Sequence, residues 1–442
     1  MSFRNTSRLA VAAFALAAWA AAPLALGAQY TFNPRVDQFI AGDDNIQVAV
    51  DDQAVEAYSY QLRPSLNMSI RGDRLQVDSE TRLDFYRFDE DGFDTDDQYA
   101  SLGVGFGSET RLLQMDVSMR RQSQRTSELD TSGILTGAER VEAYSARPSF
   151  VWQLDERYRL SGGISLNAQQ YALVDFNDYK TYGGDLTLTR QLDETQSVNL
   201  TIFSSEFATA ARGNRECAVR PVFDPVLGFQ VVQSCSLFDE VNESTTLGMQ
   251  VGYQKTLSES SQFGLSLGVR DVESRDVFED IQTDCVFDLG LTSQLQDCTG
   301  SLPEQEIKAS SSGLITRVFY QRTGERNALS ADFERSIVPA GLGFLIQSDQ
   351  LNAKFSYRLQ RHLTLFSGFT VRRSESATDA IEFDREFYAV NLSLSWQFAE
   401  NWVVGPGLRW RTQDASFQPE SANSFSGYVQ LSYRPTGVQL SR

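Results

Sequence analysis

The sequence predicts an all-β fold: a transmembrane, antiparallel outer-membrane β-barrel of about 18 strands, with short periplasmic turns and long extracellular loops. Three observations predict it. Apolar and polar residues alternate along most of the chain, an export signal opens it, and its connections alternate between short and long. The alternation is clearest over 387–398, FYAVNLSLSWQF, where Tyr388, Val390, Leu392, Leu394, Trp396 and Phe398 fall on every second position. A period of two is a strand with one apolar and one polar face.

The first element is the signal. Arg4 and Arg8 precede an apolar run from Leu9 to Ala22, Pro23 ends the run, and Ala25, Gly27 and Ala28 offer small residues for cleavage. This is the layout of a secretory signal peptide over 1–28, and the run is short for a spanning helix. Residues 29–442 then form the barrel. The formal net charge is −19 and the mean hydropathy −0.31. Such acidity counts against nucleic acid as a partner and against docking on anionic lipid by charge.

Strands follow in sequence. Leu75, Val77, Leu83 and Phe85 alternate with Asp78, Glu80, Arg82 and Asp84. Leu113, Met115, Val117 and Met119 alternate with Gln114, Asp116, Ser118 and Arg120. Later runs repeat the pattern around Val198, Phe263 and Trp402. Seventeen strands fit between Tyr58 and Pro435, and one more lies around Phe32 to Gly42. Tight turns such as 71–73, 107–109, 155–157, 324–326 and 399–401 follow one strand. Longer loops at 89–97, 122–138, 174–180, 208–243, 274–309, 336–347, 374–384 and 416–423 follow the next. A sheet of this length in hydrocarbon must close, since an open edge there leaves polar backbone unsatisfied. Its interior is too wide for side chains to fill, so the polar face points into a water-filled lumen and the apolar face into lipid.

Two details qualify the pattern. VEAYS recurs at 55–59 and 141–145, and RPS at 63–65 and 147–149, so Pro64 and Pro148 fall inside strands, where proline weakens a ladder. The acidic run DEDGFDTDD over 89–97 reads as a solvated loop, because its spacing does not fit a calcium-binding loop.

Cys217, Cys235, Cys285 and Cys298 are an even number in an exported chain, which suggests disulfides. Pairing within each neighbouring couple is favoured over the crossed connectivities, since each couple lies in one segment and would staple one loop. The spacing is too wide for a metal site, and His362 is the only histidine. No cofactor is expected.

Two stretches resemble the β-barrel porin families often encoded with exopolysaccharide export machinery. FNPRVDQFIAGDDNIQ (32–47) is similar to that family's opening strand, which ends in an aspartate–asparagine pair, here Asp44 and Asn45. SIVPAGLGFLIQSDQLNAKFSYRLQRHLTL (336–365) is similar to its loop motif, matched by Pro339, Gly341, Gly343, Ser348 and Asp349. The resemblance implies a barrel of similar strand number and a link to polysaccharide export or biofilm, with polysaccharide and periplasmic export components as partners. Outer-membrane lipid and the barrel-insertion machinery are expected partners of any such barrel. Tyr433 is the aromatic residue nearest the end of the last strand, and a tail, TGVQLSR, runs beyond it.

The chain is not expected to be an enzyme. Outer-membrane hydrolases rely on a histidine base near the outer rim, whereas His362 falls at a periplasmic turn, and no nucleophile-elbow, metalloprotease or phosphate-loop motif occurs. The lumen-facing candidates are Arg63, Asp78, Glu80, Arg82, Asp84, Asp116, Arg120, Arg147, Arg270, Arg372, Arg409 and Arg411. Rings of lumen charge set channel selectivity, although opposite charges on a wet wall also simply pair. The sequence therefore leaves a channel for hydrophilic solutes beside two alternatives. One is a surface-binding barrel (an adhesin or matrix anchor) that uses its stapled loops; the other is a fatty-acid-type transporter.

Overall fold

The computed structural model describes residues 28–50, 53–124, 140–172, 176–210, 214–224, 228–288, 296–299, 305–340, 344–377, 383–416, 418 and 420–441. The expected signal peptide over 1–28 lies, apart from Ala28, outside the described residues. The wall begins with β1 (Gln29–Asp43), β2 (Ala57–Arg71), β3 (Leu75–Phe88), β4 (Thr95–Gly107) and β5 (Arg111–Ser123). It continues through β6 (Arg140–Gln153), β7 (Tyr158–Tyr171), β8 (Asp178–Asp193) and β9 (Gln196–Ala210). Next come β10 (Asn214–Asp224), β11 (Gly228–Ser258), β12 (Ser261–Asp288), β13 (Gln296–Thr299) and β14 (Gln305–Thr323). The last are β15 (Asn327–Pro339), β16 (Leu345–Gln360), β17 (Leu363–Ser376), β18 (Asp384–Ala399), β19 (Trp402–Ala415), β20 (Ala422–Tyr433) and β21 (Val438–Ser441).

Every consecutive pairing is antiparallel, β9 pairs with β11, β12 with β14, and β1 with β20, so the sheet closes on itself. Setting aside β10, β13 and β21, the ring has 18 strands, as expected from the sequence. Short turns follow β2, β4, β6, β8, β11, β14, β16 and β18, all at one end of the barrel, and the longer connections stand at the other.

The seam is closed in two pieces. β20 pairs with Val36–Asp43 of β1, and β21 pairs with Gln29–Phe32 below it. The tail beyond Tyr433 is thus the rest of the last strand, interrupted around Pro435, which has no N–H to give to a ladder. Gly437 is needed there, because a Cβ would run into the side chain of Asn33 and stand 2.9 Å from the Phe32 carbonyl oxygen. On the lumen side Arg411 donates to Asp43 at 2.6 Å, and Ser424 donates to the same carboxylate at 2.9 Å.

The two prolines now have a physical account. The β2–β3 ladder runs from Ser59↔Phe88 to Leu62↔Phe85, skips, and resumes at Ser65↔Arg82 in the same register. The β6–β7 ladder skips likewise between Ala146↔Leu166 and Ser149↔Gly163. Each proline opens one gap in one ladder without shifting the strands, at a cost the long flanking ladders absorb.

Three expected loops differ from their reading. The segments 208–243 and 274–309 carry paired backbone: β11 and β12 continue as a ladder from Ser258↔Ser261 up to Gln230↔Asp288, and β10 pairs along β11. The register sets Cys217 opposite Cys235 and Cys285 opposite Cys298. The segment 336–347 is mostly hairpin, with β15 and β16 paired up to Pro339↔Leu345. The acidic run is the expected, largely exposed loop over 89–94 and enters β4 at Thr95. Asp94 and Asp89 accept the backbone N–H groups of Phe88 and Tyr58, and buried Asp97 accepts that of Ser123 at 2.9 Å.

Candidate functional site

The outward face is read directly from exposure. Ile40, Leu113, Ile164, Leu200, Ile202, Leu247, Met249, Leu267, Val269, Leu314, Leu392 and Leu408 are large, apolar and exposed around the whole wall. Aromatic residues stand at both edges of this band: Phe106, Trp152, Trp396, Phe398, Trp402 and Tyr433 toward the short turns, and Tyr58, Tyr182, Trp410 and Phe425 toward the long connections. Water does not suit a closed wall of this kind, and hydrocarbon between two headgroup layers does. The chain is an outer-membrane β-barrel. The apolar face of 387–398 therefore points into lipid, and the functional site is the inner wall and its mouth.

The register places all twelve charged candidates on the inner face. Asp84 is shared by two guanidinium groups, Arg63 at 2.8 Å and Arg82 at 3.3 Å, and its side chain is only 2% exposed. Arg82 also lies over the Tyr99 ring at 3.8 Å, and Arg63 over Phe39 at 5.0 Å. Arg147 reaches across β7 to Asp185 on β8 at 2.7 Å. It can do so because Gly163 lies beneath, with no side chain to block the path. Asp78 is held by Arg71 at 2.7 Å and Asp116 by Gln114 at 2.7 Å. These groups and Glu80 border a polar cavity of ≈ 900 Å³ on the side of the short turns. Arg372 donates to Gln350 at 2.9 Å. Arg120 and Arg409 have no ion pair among the described residues.

Sequence reasoning missed several members of this wall. Arg385 is almost wholly buried, donates to Gln413 at 3.0 Å and lies over the Phe387 ring at 5.0 Å. Stepping back by twos from Phe387 places it inside, but it stands directly after the expected loop 374–384, before the clear alternation begins. Asp37, Asp43 and Asp185 were missed because a carboxylate partner is set by register across strands, which spacing along one strand does not reveal.

Among the described residues, two segments narrow the mouth from within. The first follows β1. The Asn45 amide donates to the carbonyls of Ala49 and Asn423 (2.7 and 2.8 Å) and accepts the Ala49 N–H at 3.0 Å, which pins the segment to β20. Gln413 on the inner wall donates to the Val48 carbonyl at 3.1 Å. Val48 itself has a φ of 52°, a conformation that a β-branched residue rarely adopts, so these bonds hold the turn against local preference.

The second segment is the tip of the β15–β16 hairpin. β15 pairs with β14 only as far as Thr316↔Arg335, although it stays paired with β16 to the tip. Beyond Arg335 the hairpin parts from β14 and turns into the lumen, while β16 stays laddered to β17 up to Ile346↔Ser376. Leu345 and Ile337 pack in one cluster with Val141, Tyr171, Phe176, Tyr179, Phe207, Val272 and Ala377, several of which are lumen-facing residues of other strands. The rings of Tyr179 and Phe207 lie 5.5 Å apart, and those of Tyr171 and Phe176 5.2 Å. On the other side of the tip Val338, Ala340, Phe344, Ile346 and Phe383 form a second cluster. Arg335 donates through Nε and Nη2 to the two carboxylate oxygens of Asp349 at the point where β15 parts from β14. Of the loop-motif residues, Pro339 lines the space under the tip and Ser348 is buried, while Gly341 and Gly343 lie outside the described residues.

His362 is exposed on a short turn, and among the described residues no group of three or more His, Cys, Asp or Glu could hold a metal ion.

No family model and no curated relative matches the chain. Among solved structures it is similar to OpdO of Pseudomonas aeruginosa, with 11% identity over 93% of this chain and 97% of that one and a TM-score of 0.40. It is similar to OccAB2 of Acinetobacter baumannii at 11% identity over 92% and 98%, with a TM-score of 0.42. It is also similar to FyuA, the ferric yersiniabactin uptake receptor of Yersinia pestis, at 9% identity over 90% and 65%, with a TM-score of 0.46. Likeness at these values is general, and closure and lining stand on the strand pairing itself.

Proposed function

We propose that the protein is an outer-membrane channel that passes hydrophilic solutes, with its mouth narrowed by the inward-turned hairpin. The observation that carries this reading is the inner wall. It is charged and hydroxylated along its length, and barrels of roughly 16–18 strands leave an aqueous channel. Within that reading the arginines favour acidic solutes, because a planar guanidinium suits carboxylate and sulfate groups. The link to exopolysaccharide export rests on the resemblance of 32–47 and 336–365 and on nothing in the geometry.

Planar-bilayer recording of the refolded, signal-free protein tests the channel directly, and stable unitary steps are expected. The double variant Arg120→Gln/Arg409→Gln should shift reversal potential toward cations, since neither arginine is neutralised by a neighbouring carboxylate. An unchanged reversal potential would remove the arginine account of selectivity.

A second reading, a surface-binding barrel, is favoured by the β11–β12 ladder and β10, which continue well beyond the length needed to span the membrane. We propose that Cys217–Cys235 and Cys285–Cys298 bridge these hairpins, since each pair is directly opposed in register. Reduction should then make the outer hairpins the first sites cut by added protease while leaving the barrel intact. Equal cleavage with and without reductant would exclude the bridges. A barrel silent in bilayers would shift the reading from channel to surface binding.

A further inference from the structure

Under the hairpin tip lies a cavity of ≈ 390 Å³, within the range of small-ligand pockets. One wall carries Arg270 of β12, which is 4% exposed. Its Nη2 donates to Gln347 Oε1 on the hairpin at 2.8 Å, and its Nη1 has no hydrogen-bond partner. The guanidinium lies over Gly313, where a Cβ would stand 3.1 Å from Nη2. Among the described residues Arg270 has no ion pair. The other cations of the cavity are already matched: Arg317 by Asp332 at 3.2 Å and Arg335 by Asp349. Glu206 and Glu334 also line the cavity, and neither is within ion-pair distance of Arg270. A buried guanidinium held by one neutral amide, with an N–H left over, is an incomplete arrangement, because such groups are normally paired.

We infer that Arg270 is the anchor of a binding site for a hydroxylated carboxylate of monosaccharide size, and that this ligand releases the hairpin tip. A carboxylate can take the free Nη1 and, in place of Gln347, Nη2 at once, and charge-assisted bonds of this kind are about twice as strong as the neutral bond to Gln347. The rest of the lining suits such a body. The Phe203 and Phe207 rings offer apolar faces to a sugar ring, while Thr246 and Gln250 offer hydroxyl and amide groups to its oxygens. Since Gln347 is the polar tether between the tip and β12, the ligand that displaces it leaves the tip held on that side by the Leu345 and Ile337 contacts alone. The unlatching half rests on the channel reading; the binding half does not.

The test titrates D-glucuronate, with D-glucose as the neutral control, into the refolded full barrel by calorimetry and records bilayer current in parallel. Glucuronate should bind and glucose should not. Arg270→Met should weaken glucuronate at least roughly tenfold, the size expected for a lost charge-assisted pair. Gln347→Glu provides the second variant. It supplies Arg270 with a carboxylate from the hairpin itself, so it should block glucuronate while holding the tip in place. Arg157→Gln, on a short turn, controls for bulk charge and should bind as the wild type does. No glucuronate binding to the wild type, or binding unchanged in both site variants, overturns the site. Binding that depends on Arg270 in a barrel without current keeps the site and removes the channel reading; current without binding does the reverse. Glucuronate should raise open probability in the wild type and not in Gln347→Glu. Binding with no change in current overturns the unlatching.

Discussion

Replacing residues 338–346 with two glycines should raise the unitary conductance of the barrel several-fold while leaving its folding intact. The register makes the replacement feasible. Ile337 and Gln347 are directly opposed across β15 and β16, so a two-residue turn closes the shortened hairpin without disturbing either strand. The excised piece is the part that has parted from β14. It carries Val338, Ala340, Phe344, Leu345 and Ile346, whose burial depends on one another and on residues of facing strands. The β14–β15 ladder ends at Arg335, and on the other side only Leu345 and Ile346, among the described residues of the excised piece, meet the wall backbone, at Ala377 and Ser376 beside the end of β17. Heat-modifiable mobility on a gel checks that the shortened barrel folds, and bilayer recording reads the conductance. A folded variant with wild-type conductance would mean that the tip stands outside the current path.

A milder form of the same experiment is Leu345→Ala, which trims the buried residue that, with Ile337, joins the tip to the wall cluster. Burying a leucine contributes about 2–5 kcal/mol when cavity effects are included, enough to shift the tip between two positions even where the barrel is unaffected. The expected signature is flickering between two current levels rather than one larger level.

How far these features were legible beforehand depends on which dimension they live in. Strand number and inside–outside polarity are properties of one strand at a time, and period two in 387–398 or 113–119 displays them openly. The placement of Arg82, Arg120 or Arg409 on the inner face follows from the same parity. The pairing of Arg147 with Asp185 does not, because it needs the offset between β6 and β8, and a period-two pattern is silent about register. The inward turn of 336–347 was marked in the sequence only by its apolar character, VPAGLGFLIQ, which is out of place in a solvated loop. That signal says the segment must be covered but not by what. The cover comes from Val141, Phe207 and Val272 on three other strands. The long segments 208–243 and 274–309 were read as loops because alternation fades there; outside the membrane neither face of a strand is obliged to be apolar, so pairing can continue without the pattern. The aspartate–asparagine pair after β1 was legible as a motif, but its work as a pin for the first mouth segment is visible only through the Asn423 carbonyl on the far side of the seam.

That seam carries the second large effect. Asp43→Ala should destabilise the barrel by about 3 kcal/mol, the lower end of the range for breaking a buried ion pair. β1 and β20 share only eight paired positions, and the Asp43 carboxylate is the acceptor for both Arg411 of β19 and Ser424 of β20. The two charged side chains are only 10% and 16% exposed, so lumen water reaches them poorly, and Arg411 would keep its charge without the Asp43 carboxylate. Removing both charges in Asp43→Ala/Arg411→Met should recover part of the loss, because a buried cation that loses a carboxylate costs more than the missing attraction alone. Asp78→Ala gives the contrast. Its partner Arg71 is 46% exposed and Asp78 itself 61%, so the change should stay within about 1 kcal/mol. Urea midpoints in detergent micelles rank the three variants. If Asp43→Ala and Asp78→Ala fall together, the seam pair is as solvated as the other, and closure rests on the backbone ladder and β21 alone.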